Sequence, residues 1–213
     1  MKKYFKAITL TATLAVPFIM AATTQAKEKG KWVSGDFHQH TFYTDGRTSF
    51  DFVMEKNNDF GLSWWANSEH GGARPTDGEG VSWLDTDKYA VNPILGDNPE
   101  AGYMYRWQSL RDFVYPDIEN NRELYPDKKI ASGLEWNVPN HEHCSTGIVA
   151  EDASAISAFE FNFDKSDYDT SRIGEETPYG VLAKHNVTHE DAVAGCAWMQ
   201  QQLDTGKIDG GWI

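Results

Sequence analysis

Cysteine and positive charge are both scarce in this chain of 213 residues. Only Cys144 and Cys196 occur, and their spacing excludes a CxxC zinc ribbon or redox motif. The sequence leaves open whether the two form a disulfide and whether Cys144 serves as a thiolate ligand. With 19 Lys and Arg against 32 Asp and Glu, the formal net charge is -13. This balance argues against a duplex nucleic-acid partner and favours a small molecule.

The signatures of several enzyme classes are also absent. The chain has no G-x-S-x-G nucleophile elbow, no P-loop and no G-x-G-x-x-G dinucleotide fingerprint. The sequence therefore indicates neither a serine nucleophile of that type nor a nucleotide-binding loop.

Residues 1–26 are organised like a bacterial secretory signal peptide. Three lysines precede an apolar run from Ala7 to Ala22, and small residues ending at Ala26 supply a cleavage site. The run is too short and too rich in threonine to be a stable membrane anchor. We therefore expect an exported protein, periplasmic or secreted, in which residues 27–213 form one domain.

The mature chain alternates strand and helix patterns, which predicts an α/β fold. A loop rich in glycine, proline and acidic residues is predicted at about 71–102, and loops of that length usually have a function. Strands are predicted at 31–40, 62–66, 129–136 and 144–150. Helices are predicted at 50–58 after Thr48 or Ser49, at 107–124 with a break or kink at Pro116, and after Thr188 through Leu203.

Potential metal ligands recur near the ends of the predicted strands. His38 and His40 are two residues apart on one strand, so both imidazoles can face the same ion. The other candidates are Asp45, His70, Glu135, His141 and His143. Imidazole and carboxylate groups are the donor set for zinc, manganese or iron, and a carboxylate can bridge two ions. The pattern therefore predicts a site for more than one divalent ion.

Three segments around these residues carry motifs. They are GDFHQHTFYTDGRTS at 35–49, NSEHGG at 67–72 and GLEWNVPNHEHCSTGIV at 133–149. The first is similar to D-L-H-x-H-T-x-x-S-D-G, the second to T-D-H, and the third to a Gly-x-Glu strand end followed by a histidine. Together they resemble the three motifs of the PHP (polymerase and histidinol phosphatase) family. Phe37, Thr44 and Ser68-Glu69 depart from the usual residues.

The resemblance implies a distorted (β/α)7 TIM-like barrel. It also implies a further histidine and a late Asp-x-His motif, and neither His185 nor His189 stands in that setting. We therefore expect the barrel to be partial, with its C-terminal strands and last ligands missing from these residues.

The resemblance further implies two or three divalent ions, of zinc, manganese or iron. The implied ligands are His38, His40, Asp45, His70, Glu135 and His143, with His141 as the alternative to His143. His38 and His40 would bind one ion, which Glu135 would bridge to a second. His143 would hold that second ion, and Asp45 with His70 would hold a third.

The implied activity is hydrolysis of a small phosphate ester by water that the ions activate and Glu135 positions. Arg74, four residues after His70, can contact a phosphate oxygen through its planar guanidinium, or can be a solvated loop residue. Two alternatives stay open. One is an amidohydrolase-type metal hydrolase, and the other is a non-catalytic exported metal-binding module.

Overall fold

The computed structural model describes residues 30–72, 74–96, 100 and 102–213. The predicted signal peptide lies outside the described residues. The strands are β1 (Gly35–Asp36), β2 (Trp64–Ala66), β3 (Lys129–Asn137), β4 (His143–Val149), β5 (Glu176–Thr177), β6 (Gly180–Val181) and β7 (Gly210–Trp212). The helices are α1 (Phe50–Asp59), α2 (Arg106–Ser109), α3 (Tyr115–Leu124), α4 (Ser154–Phe163) and α5 (His189–Asp204), and a π-helical turn (Leu110–Val114) joins α2 to α3.

Five strands form one mixed sheet in the order β1-β2-β3-β4-β7. The β1, β2 and β3 strands are parallel, and the segments between them contain the helices α1 to α3. The carboxyl ends of these three strands therefore lie at one edge of the sheet, where ligands collect in α/β folds. The short β5 and β6 strands form a separate hairpin.

The prediction of a TIM-like barrel is wrong. In the described residues, these five strands form an open sheet. The β3 and β4 strands pair antiparallel, and β4 pairs antiparallel with β7. Only residues 138–142 join β3 to β4, whereas a parallel crossover needs a dozen residues or more. The turn includes Asn140, which has a φ of 58°, in the left-handed region that asparagine tolerates better than most residues. The short connection thus enforces a hairpin where a (β/α) repeat was expected.

Local sequence signals account for two helix starts. The Ser49 side chain accepts a hydrogen bond from the Phe52 amide at the start of α1. At α5, the Thr188 side chain accepts from the Asp191 amide while the Asp191 carboxylate accepts from the Thr188 amide, which completes a capping box. Both starts were predicted correctly from the sequence.

The helical path continues from Arg106 to Leu124, so Pro116 does not end it, but the π-helical turn interrupts the regular α-helix directly before Pro116. Pro116 lies in the first turn of α3, directly after the π-helical turn. The wider turn removes the need for the amide hydrogen bond that proline cannot donate.

The core lies between the sheet and the helices. Trp136 of β3 packs against Phe159 of α4, and its indole donates a hydrogen bond to the carbonyl of Phe163. Every residue of α4 from Ala155 to Phe163 is buried. None of the helices in the described part of the chain is both long and apolar enough to cross a membrane.

Candidate metal centre

The segment after β1 carries the first two histidines. It is held beside the sheet by side-chain hydrogen bonds, although the regular strand ends at Asp36. The Phe37 carbonyl accepts from the hydroxyls of Ser68 (3.1 Å) and Ser145 (2.6 Å). The Gln39 carbonyl accepts from the Ser68 amide at 2.7 Å. The backbone on either side of His38 is thus fixed by the segment after β2 and by β4.

Glu135 is the centre of the cluster. It lies in β3 and is buried. Its Oε2 atom is 2.9 Å from His70 Nε2 and 3.2 Å from His40 Nε2. Its Oε1 atom is 2.6 Å from His143 Nδ1 and 3.8 Å from His38 Nε2. One buried carboxylate therefore meets imidazoles from four separate positions in the sequence.

The hairpin explains the place of His143. In the antiparallel pair, His143 is opposite Asn137 and Ser145 is opposite Glu135. Residues two apart on a strand share a face, so His143 is a diagonal neighbour of Glu135. His141, the alternative ligand, lies in the turn with an exposed side chain, and its Nε2 atom is 2.8 Å from His189 Nδ1.

Two groups of these residues can each hold a divalent ion. One group is His38, His40 and Glu135, and the other is His40, Asp45 and His70; within each group the ligand atoms lie within 4.8 Å of one another. His40 joins the groups, because its Nδ1 atom is 3.0 Å from Asp45 Oδ1 while its Nε2 atom points to Glu135. The first group contains the two histidines and the carboxylate that the sequence predicted for one ion. The second group contains the predicted pair of Asp45 and His70 together with His40.

The charge state of His40 suits metal binding. Burial lowers the pKa of His40, and the nearby carboxylates of Asp45 and Glu135 oppose that effect. A lowered pKa leaves the ring neutral near pH 7, with a lone pair on one nitrogen. His40 Nε2 and His38 Nε2 approach to 3.0 Å. Imidazole nitrogens that converge beside a carboxylate fit a shared cation.

A buried glutamate supports the cluster from behind. Glu69, directly before His70, is fully buried and accepts hydrogen bonds from the hydroxyls of Thr41 (2.6 Å) and Thr44. Burial raises the pKa of Glu69 to about 7, and the two threonine hydrogen bonds oppose that shift. These contacts fix the turn that leads from His40 to Asp45. The supporting role of Glu69 was not predicted, because Thr44 and Thr41 lie 25 and 28 residues before it in the sequence.

The turn after His70 depends on two glycines. Gly71 and Gly72 have φ values of 67° and 56°. A Cβ atom on Gly71 would lie 2.5 Å from the Arg106 carbonyl oxygen, and one on Gly72 would lie 2.3 Å from the Met104 carbonyl oxygen. Arg106 also donates to the His70 carbonyl at 2.7 Å. The start of α2 therefore positions the backbone of a candidate ligand.

Other predicted residues lie apart from the cluster. Arg74 is exposed, and it forms no hydrogen bond or ion pair with the histidines or Glu135 in the described part of the chain. The described residues between 74 and 96 form turns and an isolated bridge between Thr76 and Ser82. Cys144 and Cys196 are free thiols. Burial raises the pKa of Cys144, which disfavours the thiolate that a metal would need.

Comparison with known proteins gave no match: no protein-family model, curated protein or solved structure matches this chain.

Proposed function

We propose that this protein is a metal-dependent hydrolase that acts on small phosphate esters. The observation that carries the proposal is the position of Glu135, a buried carboxylate surrounded by the imidazoles of His38, His40, His70 and His143. A buried carboxylate is costly unless it is paired or binds a metal. Four imidazoles around one carboxylate provide the nitrogen and oxygen donors that bind divalent transition ions.

The donor set favours a transition metal over calcium or magnesium. Most of its atoms are imidazole nitrogens, which suit zinc or iron, whereas calcium and magnesium prefer oxygen ligands. Glu135 and Asp45 add carboxylate oxygens, which manganese also accepts. When bound, such ions supply Lewis acidity to the phosphoryl oxygens and lower the pKa of water.

The ligands of this site differ in their exposure to solvent. Glu135 is buried, whereas the side chains of His143 and Asp45 are 52 % and 61 % exposed. A substrate can therefore approach past His143 and Asp45. With a formal net charge of -13, the protein itself repels an anionic ester, so neutralisation of the substrate charge is left to the ions.

The motifs support the same proposal. The segment from Gly35 to Ser49 resembles the first PHP motif, and it contributes His38, His40 and Asp45 to the cluster. The sequence offers no lysine next to Glu135 that would replace it as a bridging ligand of the amidohydrolase type. This comparison favours phosphate esters over cyclic amides and lactones.

The test is a substrate screen on the full chain loaded separately with zinc, manganese and iron. We expect turnover of phosphomonoesters or phosphodiesters, and we expect His40→Ala to abolish it. The control is His185→Ala, because His185 is a histidine outside the cluster, with its Nδ1 atom 3.8 Å from Asp191. Full activity in His40→Ala would overturn the proposal. Turnover of lactones or cyclic amides alone would instead indicate an amidohydrolase-type metal hydrolase.

A further inference from the structure

A second pair of histidines lies outside the cluster around Glu135. The Nε2 atom of His141 is 2.8 Å from the Nδ1 atom of His189, and the two rings are inclined by 68°. The two residues are 48 positions apart in sequence, and both are exposed to solvent. Their meeting is therefore a product of the fold and cannot come from local sequence.

The backbone of His141 is fixed by the β3–β4 turn. Its amide donates to the Val138 carbonyl at 3.0 Å, and the Val138 amide donates to the Glu142 carbonyl at 3.1 Å. The Lys165 ammonium group donates to the carbonyl of His141. These bonds hold the residue where its ring can reach α5, so the geometry is prepared before any ligand binds.

His189 is fixed by a different device. It is the first residue of α5, directly after Thr188, whose side chain takes part in the capping box with Asp191. The two rings are therefore presented by rigid elements on opposite sides of a short gap. Because both backbones are held in this way, only the two side chains remain to be ordered on binding.

The separation of the two nitrogens is close to that of two ligands on one ion. With metal–nitrogen bonds of about 2.0–2.1 Å, two imidazole nitrogens on the same ion lie roughly 3 Å apart. The pair His38 and His40 in the candidate metal centre shows a similar separation, 3.0 Å. Solvent around the exposed pair can supply the remaining ligands as water.

We propose that His141 and His189 form a second, surface metal site that binds a borderline transition ion such as Zn²⁺, Ni²⁺ or Cu²⁺. The ion would link the β3–β4 turn, which leads into His143, to the first turn of α5. It would be held by two imidazoles and water, more weakly than an ion at Glu135. This site is separate from the proposed catalytic centre and does not depend on its activity.

Nearby charge favours a cation at this position. The positive end of a helix dipole lies at the start of α5 and disfavours a cation. Glu190 and Asp191 in the first helical turn oppose that effect, and Glu142 lies next to His141 in the turn. These three carboxylates outweigh the partial positive charge of the helix end together with the ammonium group of Lys165, which donates to the His141 carbonyl.

The experiment uses the full chain with His38→Ala and His40→Ala, which removes the primary ligands and leaves the surface pair. Zn²⁺ and Ni²⁺ are titrated by calorimetry, and thermal unfolding is recorded with and without each ion. We expect one ion to bind per chain and the melting temperature to rise, because binding to the folded state stabilises it. Adding His141→Ala or His189→Ala should weaken this binding by at least about tenfold, since even outer-shell changes cost 10–100-fold.

His185→Ala in the same background is the matched control. It removes an exposed histidine near α5 that stacks on Phe163 and is not part of the pair. Unchanged binding in this control, with loss in the other two, supports the surface site. The inference is overturned if the background protein binds neither ion, or if all three variants bind alike, which leaves the pair as an N–H···N hydrogen bond. The single variant His40→Ala, which keeps His141 and His189, tests the catalytic proposal separately through its loss of metal at Glu135.

Discussion

The Nδ1 atom of His143 lies 2.6 Å from Oε1 of Glu135, across the turn that joins β3 to β4. Antiparallel pairing places the first residue of β4 next to the end of β3, so two strands contribute to the site through a connection of five residues. The candidate centre is thus built from three parallel strand ends and one hairpin.

Replacing Glu135 by glutamine keeps the size of the side chain and removes its charge. We expect metal affinity to fall by about 10–100-fold or more, because a neutral amide is a poor bridge between cations. The strand should persist, since Glu135 pairs with Ser145 through its backbone. Metal content after dialysis measures the effect, and circular dichroism checks the fold. Glu142→Gln, at an exposed position in the adjacent turn, is the control and should retain its metal.

His143→Ala and His141→Ala form a matched pair of changes in the same turn. We expect His143→Ala to lower hydrolysis because His143 contacts Glu135, and we expect His141→Ala to leave it unchanged because His141 contacts His189. Steady-state rates at saturating metal distinguish the two. Equal losses in both variants would show that the turn, and not the individual ligand, controls the site.

Gly72→Ala should destabilise the protein and disturb His70. The new Cβ atom would lie 2.3 Å from the Met104 carbonyl oxygen, and the residue would also keep a φ of 56°. Gly61→Ala is the control, because Gly61 has a φ of 74° and open space around its Cβ position. Denaturant unfolding should show a loss of about 1–2 kcal/mol for Gly61→Ala, from backbone conformation alone. The loss for Gly72→Ala should be clearly larger and accompanied by loss of metal. Similar losses in both would contradict this assignment.

Glu160 predicts a pH dependence of stability. Burial, together with the charges of Asp167 and Asp164, raises the pKa of Glu160 well above its ordinary value, and Arg106 opposes the shift. Both carboxylate oxygens are buried without a well-formed hydrogen bond within the described residues. The protonated form therefore favours folding, and its contribution is lost as pH rises from 4.5 through the raised pKa.

Glu160→Gln should remove that loss. Relative to the wild type, the variant should gain on the order of 1–3 kcal/mol in unfolding free energy at about pH 8 and less at about pH 5. Urea titrations at both pH values measure the difference. The exposed Glu123→Gln serves as the control. A gain that is the same at both pH values would point to packing and would rule out ionisation as the cause.

Local signals in the sequence were sufficient for several elements. Thr188 predicted the start of α5, and Thr48 or Ser49 predicted the start of α1, where Ser49 is the cap, because a cap is formed by neighbouring residues. By contrast, α4 was missed. Its sequence, SAISAFEFNF, is apolar on nearly all sides, so it lacks the alternating polar face that marks a helix.

The candidate site was predictable as a set of residues but not as an arrangement. The spacing of His38 and His40 predicted that they share a face, and they do meet beside Glu135. The antiparallel return of β4 could have been inferred from the short connection, residues 137–143, between the predicted strands, yet the motif resemblance suggested a barrel. The support from Glu69 arises only when distant segments come together, and no local pattern encodes it.

Metal content per chain tests the central claim most directly. The full chain should be purified without chelator, dialysed, and analysed for zinc, manganese and iron beside His40→Ala. We predict at least one ion per chain in the wild type and a clear decrease in the variant, because His40 belongs to both groups of ligands. A wild type that holds none of these metals and takes none up on addition would contradict the account.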